Sequence, residues 1–215
     1  MNLALLQSSS LSFLELLLPW LAILLISLSF HEAAHAWAAD RLGDPTARHL
    51  GRLTLNPLSH IDPIGTIAFP LLAVYVGLPV LGWARPVPVN WARLHSPRRD
   101  FAMIAAAGPA SNVILAAGIS LALVLMSAAG AMSPTVHIWL IRAVSLNMLL
   151  AVFNMLPIPP LDGGNILSGL VPEWFARGID QLRPFGFLIL YGLLFTGVFS
   201  AIMLPVDNFV WNSLQ

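Results

Sequence analysis

The sequence predicts an all-α fold: a polytopic bundle of transmembrane helices, with about four full spans and one re-entrant or hairpin segment near 62–83. Three observations predict it. Of the 215 residues, 58% are hydrophobic and 9% charged, where a soluble domain carries about 25% charged residues, and mean hydropathy is +0.81. Long apolar runs recur, each near the roughly 20 residues that cross a bilayer. No internal repeat, low-complexity tract or long linker separates them, so residues 1–215 read as a single integral-membrane domain.

The first expected span covers roughly 12–38, with Glu15 the one acid in the run from Leu11 to Phe30. The leading MNLALLQSSS lacks the basic start of a secretory signal, so this span is expected to stay uncleaved. The stretch 62–83 is apolar but interrupted by Pro63, Gly65, Pro70, Gly77 and Pro79. Such breaks remove or weaken helical hydrogen bonds, and irregular backbone at membrane depth survives only against protein or water. Continuous runs at 101–128, 137–158 and 184–204 complete the set.

Arginines set the orientation. Arg41, Arg48 and Arg52 fall in one loop, Arg85, Arg93, Arg98 and Arg99 in the next, and Arg177 and Arg183 before the last span. The positive-inside rule puts all three stretches on the cytoplasmic side. The 62–83 segment should therefore enter and leave by one face, and His35 and the Asp162 region should lie near the cytoplasmic ends of their helices. The formal net charge is +0, which gives no reason to expect nucleic acid as a partner, and the chain has no Cys, so metal ligands must come from His, Asp and Glu.

His31-Glu32-Ala33-Ala34-His35 closes the first apolar run. On a helix, His31 and His35 at i and i+4 share a face and can share a zinc ion. Glu32 lies about 100° round the helix from His31, within reach of a water that the ion would activate. Ionisable groups at membrane depth are costly without a function, and water-activating chemistry there implies a substrate in the membrane. A catalytic zinc takes three protein ligands, and the main further acids are Glu15, Glu32 and Asp162. Glu15 is more than four turns from His31 on one helix and cannot reach it. Asp162 follows Asn154, Pro157, Pro159 and Pro160 and precedes Gly163 and Gly164, breaks that could turn a carboxylate into the bundle or could simply end a helix with a capping Asp.

Phe30-His31-Glu32-Ala33-Ala34-His35, Gly108-Pro109-Ala110-Ser111-Asn112 and Asn154-x-x-Pro157-x-Pro159-x-Leu161-Asp162-Gly163 occur in an order that resembles the site-2 proteases, intramembrane zinc metalloproteases of peptidase family M50. The likeness covers roughly 20–170. It is to the compact prokaryotic branch, without a PDZ-like insertion or CBS tail, and with one span before the HExxH end where others have an additional leading helix. The resemblance implies one Zn2+ per chain held by His31, His35 and Asp162. It implies Glu32 as general base and later proton donor, with Asn154 positioning the peptide or stabilising the oxyanion.

The function expected is hydrolysis of a peptide bond in or near the transmembrane segment of a membrane-anchored protein, from a prokaryotic plasma membrane with the site towards the cytoplasm. A membrane metal-ion carrier and an inactive protease-like adaptor are the rival readings. A carrier needs polar groups across both leaflets, whereas here they gather near one side. The 62–83 and 84–90 segments are candidates for an extended edge that pairs with an unwound substrate. His49, His60, Asp62 and His95 read as exposed or capping residues, with His60 and Asp62 a candidate lip of the site. Gly108 with its small neighbours reads as a close helix approach, and Asn112 as bonding either a neighbouring helix or the active-site loop.

Overall fold

The computed structural model describes residues 13–77 and 82–215, with side chains from residue 17 onward except Val74. The first ten residues, on which the signal reading bears, lie outside the described residues. Helices α1 (Phe13–Arg41), α4 (Pro97–Ala128) and α5 (Pro134–Asn154) are the long apolar ones, each able to cross a membrane. Between them lie the short helices α2 (Thr46–His49) and α3 (Phe69–Tyr75). After them come α6 (Asp162–Leu170), α7 (Glu173–Gln181), α8 (Gly186–Phe195) and α9 (Val198–Leu214). There is no strand among the described residues, so the all-α expectation holds.

The core forms where α4 packs between α1 and α5, with α6 against α4 and α9 against α5. Ala116, Leu123, Ile141, Val144 and Val210 make one apolar cluster, and Ala38, Ala39, Leu94 and Ile104 a second near the C-terminal end of α1. Outer faces carry Leu18, Leu21 and Ile26 on α1 and Ile114, Leu121 and Leu125 on α4, all exposed. So extended an apolar surface is excluded for a protein standing alone in water and fits a multi-pass membrane protein.

The 62–83 segment turns back on itself, as its breaks predict. Asp62 accepts hydrogen bonds from the Ile64 and Gly65 amides and starts a π-helical turn, Pro63–Ala68, that runs into α3. The returning stretch of backbone is then tied beside its start: the Trp83 amide donates to the Gly65 carbonyl at 3.1 Å, and the Arg85 amide to the His60 carbonyl at 2.8 Å. Arg52, buried, donates from Nη2 to the carbonyls of Arg85 and Pro86 and fixes the same end.

One expected span is built differently. The run 184–204 is not one helix but parts of α8 and α9, and the pair made by Glu173–Phe195 and Val198–Leu214 is bent by 69°. The break is at Gly197, whose φ of 78° is the left-handed conformation that ends helices. Apolarity runs straight through Thr196 and Gly197, so hydropathy alone does not register the stop.

Candidate metal centre

Three side chains meet at one point. Nε2 of His31 and Nε2 of His35 are 3.1 Å apart, and Asp162 Oδ2 lies 3.1 Å from the first and 3.3 Å from the second. The imidazoles come from the last part of α1, one turn apart on one face. The carboxylate comes from the first residue of α6, where Leu161 leaves the extended conformation and the helix begins. The α6 N-terminus is seated tightly: a Cβ on Gly163 would collide with the carbonyls of Met155 and Leu156 at the end of α5. Gly108 does the same for the histidines, since a Cβ there would overlap both imidazole rings. The small residue read as a close helix approach therefore makes room for the rings against α4.

The hydrogen bonds behind the rings decide what faces inward. His35 Nδ1 donates to the Ile104 carbonyl at 2.7 Å, and a carbonyl can only accept. His31 Nδ1 donates to Asn112 Oδ1 at 2.6 Å. With Nδ1 carrying the proton on both rings, each Nε2 presents a lone pair to the other and to the carboxylate. Asp162 Oδ2 is buried with no hydrogen-bond donor among the described residues. A proton on one nitrogen would relieve one of these contacts, whereas a divalent cation satisfies all three. The set of two imidazoles and one carboxylate, each imidazole held by an outer acceptor, suits a catalytic zinc with an open coordination position, so these residues could hold that ion.

The centre opens into a cavity of about 410 Å³. Glu32 and Asn154 line it together with the three converging side chains, and so does the returning stretch from Gly82 to Val89. Asn154 donates one amide hydrogen to the Leu150 carbonyl of its own helix at 3.0 Å, leaving the other available. All five residues singled out in the sequence thus share one cavity.

The other polar candidates lie elsewhere. His60 is buried rather than exposed, its Nε2 bonded to the Thr54 carbonyl at 2.8 Å, and neither it nor Asp62 lines the cavity. His49 and His95 are exposed. Sequence reasoning left Asn112 open between two roles and missed Asn147 and Ser27 altogether. All three are at most 1% exposed, and the signal was available as amide and hydroxyl groups inside apolar spans.

Comparison with known proteins identifies the family. The sequence profile of Peptidase family M50 matches residues 127–196, the part that carries Asn154 and Asp162. The protein named "Putative zinc metalloprotease YwhC" of Bacillus subtilis is 41% identical over 198 residues, covering 89% of this chain and 87% of that protein. "Putative zinc metalloprotease Rip2" of Mycolicibacterium smegmatis is 31% identical over 177 residues, covering 80% of this chain and 64% of the relative. No solved structure matches the chain. With a relative this similar along nearly its whole length, the chain belongs to peptidase family M50 and is a multi-pass membrane metalloprotease whose cofactor is zinc.

Proposed function

We propose that this protein hydrolyses a peptide bond in or near the transmembrane segment of a membrane-anchored protein, with His31, His35 and Asp162 as the zinc ligands. The reading rests on one observation: the three ligand atoms, all within 4.8 Å of one another, converge beside Glu32 at the end of an apolar helix. A soluble substrate would have no reason to be met there. When bound, zinc supplies Lewis acidity towards a water and a peptide carbonyl.

The chain's own groups supply the rest. Glu32 takes the proton from the attacking water and returns it to the departing amide nitrogen, the work of a single positioned carboxylate. The free amide hydrogen of Asn154 donates to the carbonyl oxygen as negative charge develops there. A helical substrate has its carbonyls already hydrogen bonded, so it must unwind before it can react. The non-helical backbone from Gly82 to Val89, which walls the cavity, offers an edge along which an unwound segment can lie. The arginine-rich loops support an orientation with the metal end of the bundle towards the cytoplasm, and the bacterial relatives support a prokaryotic plasma membrane as its place.

The test is cleavage of a panel of single-span substrates by the purified protein in detergent. Glu32→Gln is expected to lower the rate about 100-fold or more, and a zinc chelator to abolish cleavage reversibly. Cleavage by the Glu32→Gln protein at the wild-type rate would remove the assigned base. Cleavage confined to soluble peptides would remove the intramembrane substrate.

A further inference from the structure

We propose that Asn147, which hydrogen bonds to Asn112, Ser27 and Ala143 rather than to a metal ligand and does not line the cavity, is a positioning residue for the metal centre. It sets the orientation of Asn112 and so decides which nitrogen of His31 carries the lone pair. This rests on the reading of His31 as a zinc ligand.

The argument follows hydrogens from α5 inwards. Asn147 Nδ2 has two, and both are committed: one to the Ala143 carbonyl of its own helix at 2.8 Å, the other to Ser27 Oγ on α1 at 2.9 Å. Its Oδ1 is therefore turned towards α4, where it accepts from Asn112 Nδ2 at 2.9 Å. Asn112 Nδ2 also points at the Ser27 carbonyl, 3.4 Å away. With its amide end so engaged, Asn112 can offer His31 only its oxygen, at 2.6 Å from Nδ1. That contact keeps the proton on Nδ1 and leaves Nε2 free to bind a cation.

Without Asn147, the Asn112 carboxamide loses its best acceptor, and a turn of 180° would present an N–H to His31. The ring would then have to carry its proton on Nε2, where the metal belongs. Asn112 is fully buried and Asn147 is 1% exposed, so water cannot replace the lost partner. Outer partners that fix a ligating histidine typically contribute 10–100-fold in metal affinity.

The experiment measures zinc affinity by chelator competition on the purified full-length protein in detergent, together with the rise in melting temperature on adding zinc. Asn147→Leu is expected to weaken zinc binding about 10–100-fold and to shrink the zinc-dependent rise. Asn147→Asp, which as a neutral acid accepts from Asn112 and donates to Ser27, should restore most of both. In an Asn112→Ala background, Asn147→Leu should add no further loss, because its effect passes through Asn112. A purely packing role would lower the melting temperature of the metal-free protein and leave zinc affinity unchanged, which would overturn the proposal, as would additive losses in the double variant. If Asn147→Leu does not fold, Ser27→Ala loosens Asn147 from its other side: weaker zinc binding supports the proposal and wild-type binding overturns it. His31→Ala separates the two readings, for wild-type zinc affinity in that variant would remove the metal site itself.

Discussion

Asp44 is fully buried just beyond the C-terminal end of α1, and its carboxylate gathers the surrounding loops. Oδ1 accepts from the Thr46 hydroxyl at 2.5 Å and the Thr46 amide at 3.1 Å, while Oδ2 accepts from the Asn90 amide at 2.6 Å. Burial pushes its pKa up, but the bonds from Thr46 and Asn90, with Arg93 nearby, outweigh it and hold the carboxyl below its ordinary range. A depressed folded-state value adds stability that is fully present above the ordinary carboxylate pKa and is lost as pH falls through the folded one. Melting temperature of the metal-free protein should therefore drop on acidification below about pH 4. Asp44→Asn should show a smaller drop over that range. Equal pH dependence in both proteins would show that Asp44 contributes nothing to acid sensitivity. Asp44→Ala, which removes the acceptor of the Thr46 hydroxyl and of the Thr46 and Asn90 amides, should cost about 2 kcal/mol in a denaturation experiment.

Among the elements, α6 matters most for its length. Its nine residues begin with Asp162, too few to hold themselves in place by helix formation alone. Arg98, at the start of α4, donates from Nη2 to the carbonyls of Ser168 at 2.6 Å and Val171 at 2.9 Å, closing the C-terminal end of α6 with a cation where the helix dipole favours one. Arg98→Gln should destabilise the fold by about 2 kcal/mol and weaken zinc binding, since it frees the helix that carries Asp162. Unchanged zinc affinity would show that packing against α4 is sufficient. None of this was legible in the sequence, where Arg98 was one more positive charge in a loop. The spans at α1, α4 and α5, the breaks in 62–83 and the paired histidines were legible, because hydropathy, proline and the HExxH spacing are local signals, whereas Asp162 was singled out only by the family resemblance. The stop at Gly197 and the tie from Asn147 to His31 were not. The first is a backbone conformation, and the second joins residues that meet only after three helices have packed.

At the scale of the molecule, the fold brings two arginine-bearing loops to one end. The Asn90 amide bonds to Asp44, the Arg85 amide to His60, and the Arg52 guanidinium to the carbonyls of Arg85 and Pro86. Positions 55 and 90 are therefore expected on one side of the membrane. The chain has no native cysteine, so Leu55→Cys and Asn90→Cys can be labelled singly in intact cells with a membrane-impermeant thiol reagent. Both are expected to stay unlabelled until the membrane is opened. Labelling of one but not the other from outside would contradict the hairpin, and labelling of both would invert the orientation drawn from the arginines.

The meeting of α1 with α6 also governs the order in which this molecule comes into being. His31 and His35 lie on α1, whereas Asp162 is synthesised only after two more long helices, α4 and α5, have been made. Until then the histidines lack the carboxylate that converges on them in the finished fold, so a half-synthesised chain cannot assemble the proposed metal centre. On the proposed ligand set, chain order by itself keeps the centre unassembled during synthesis.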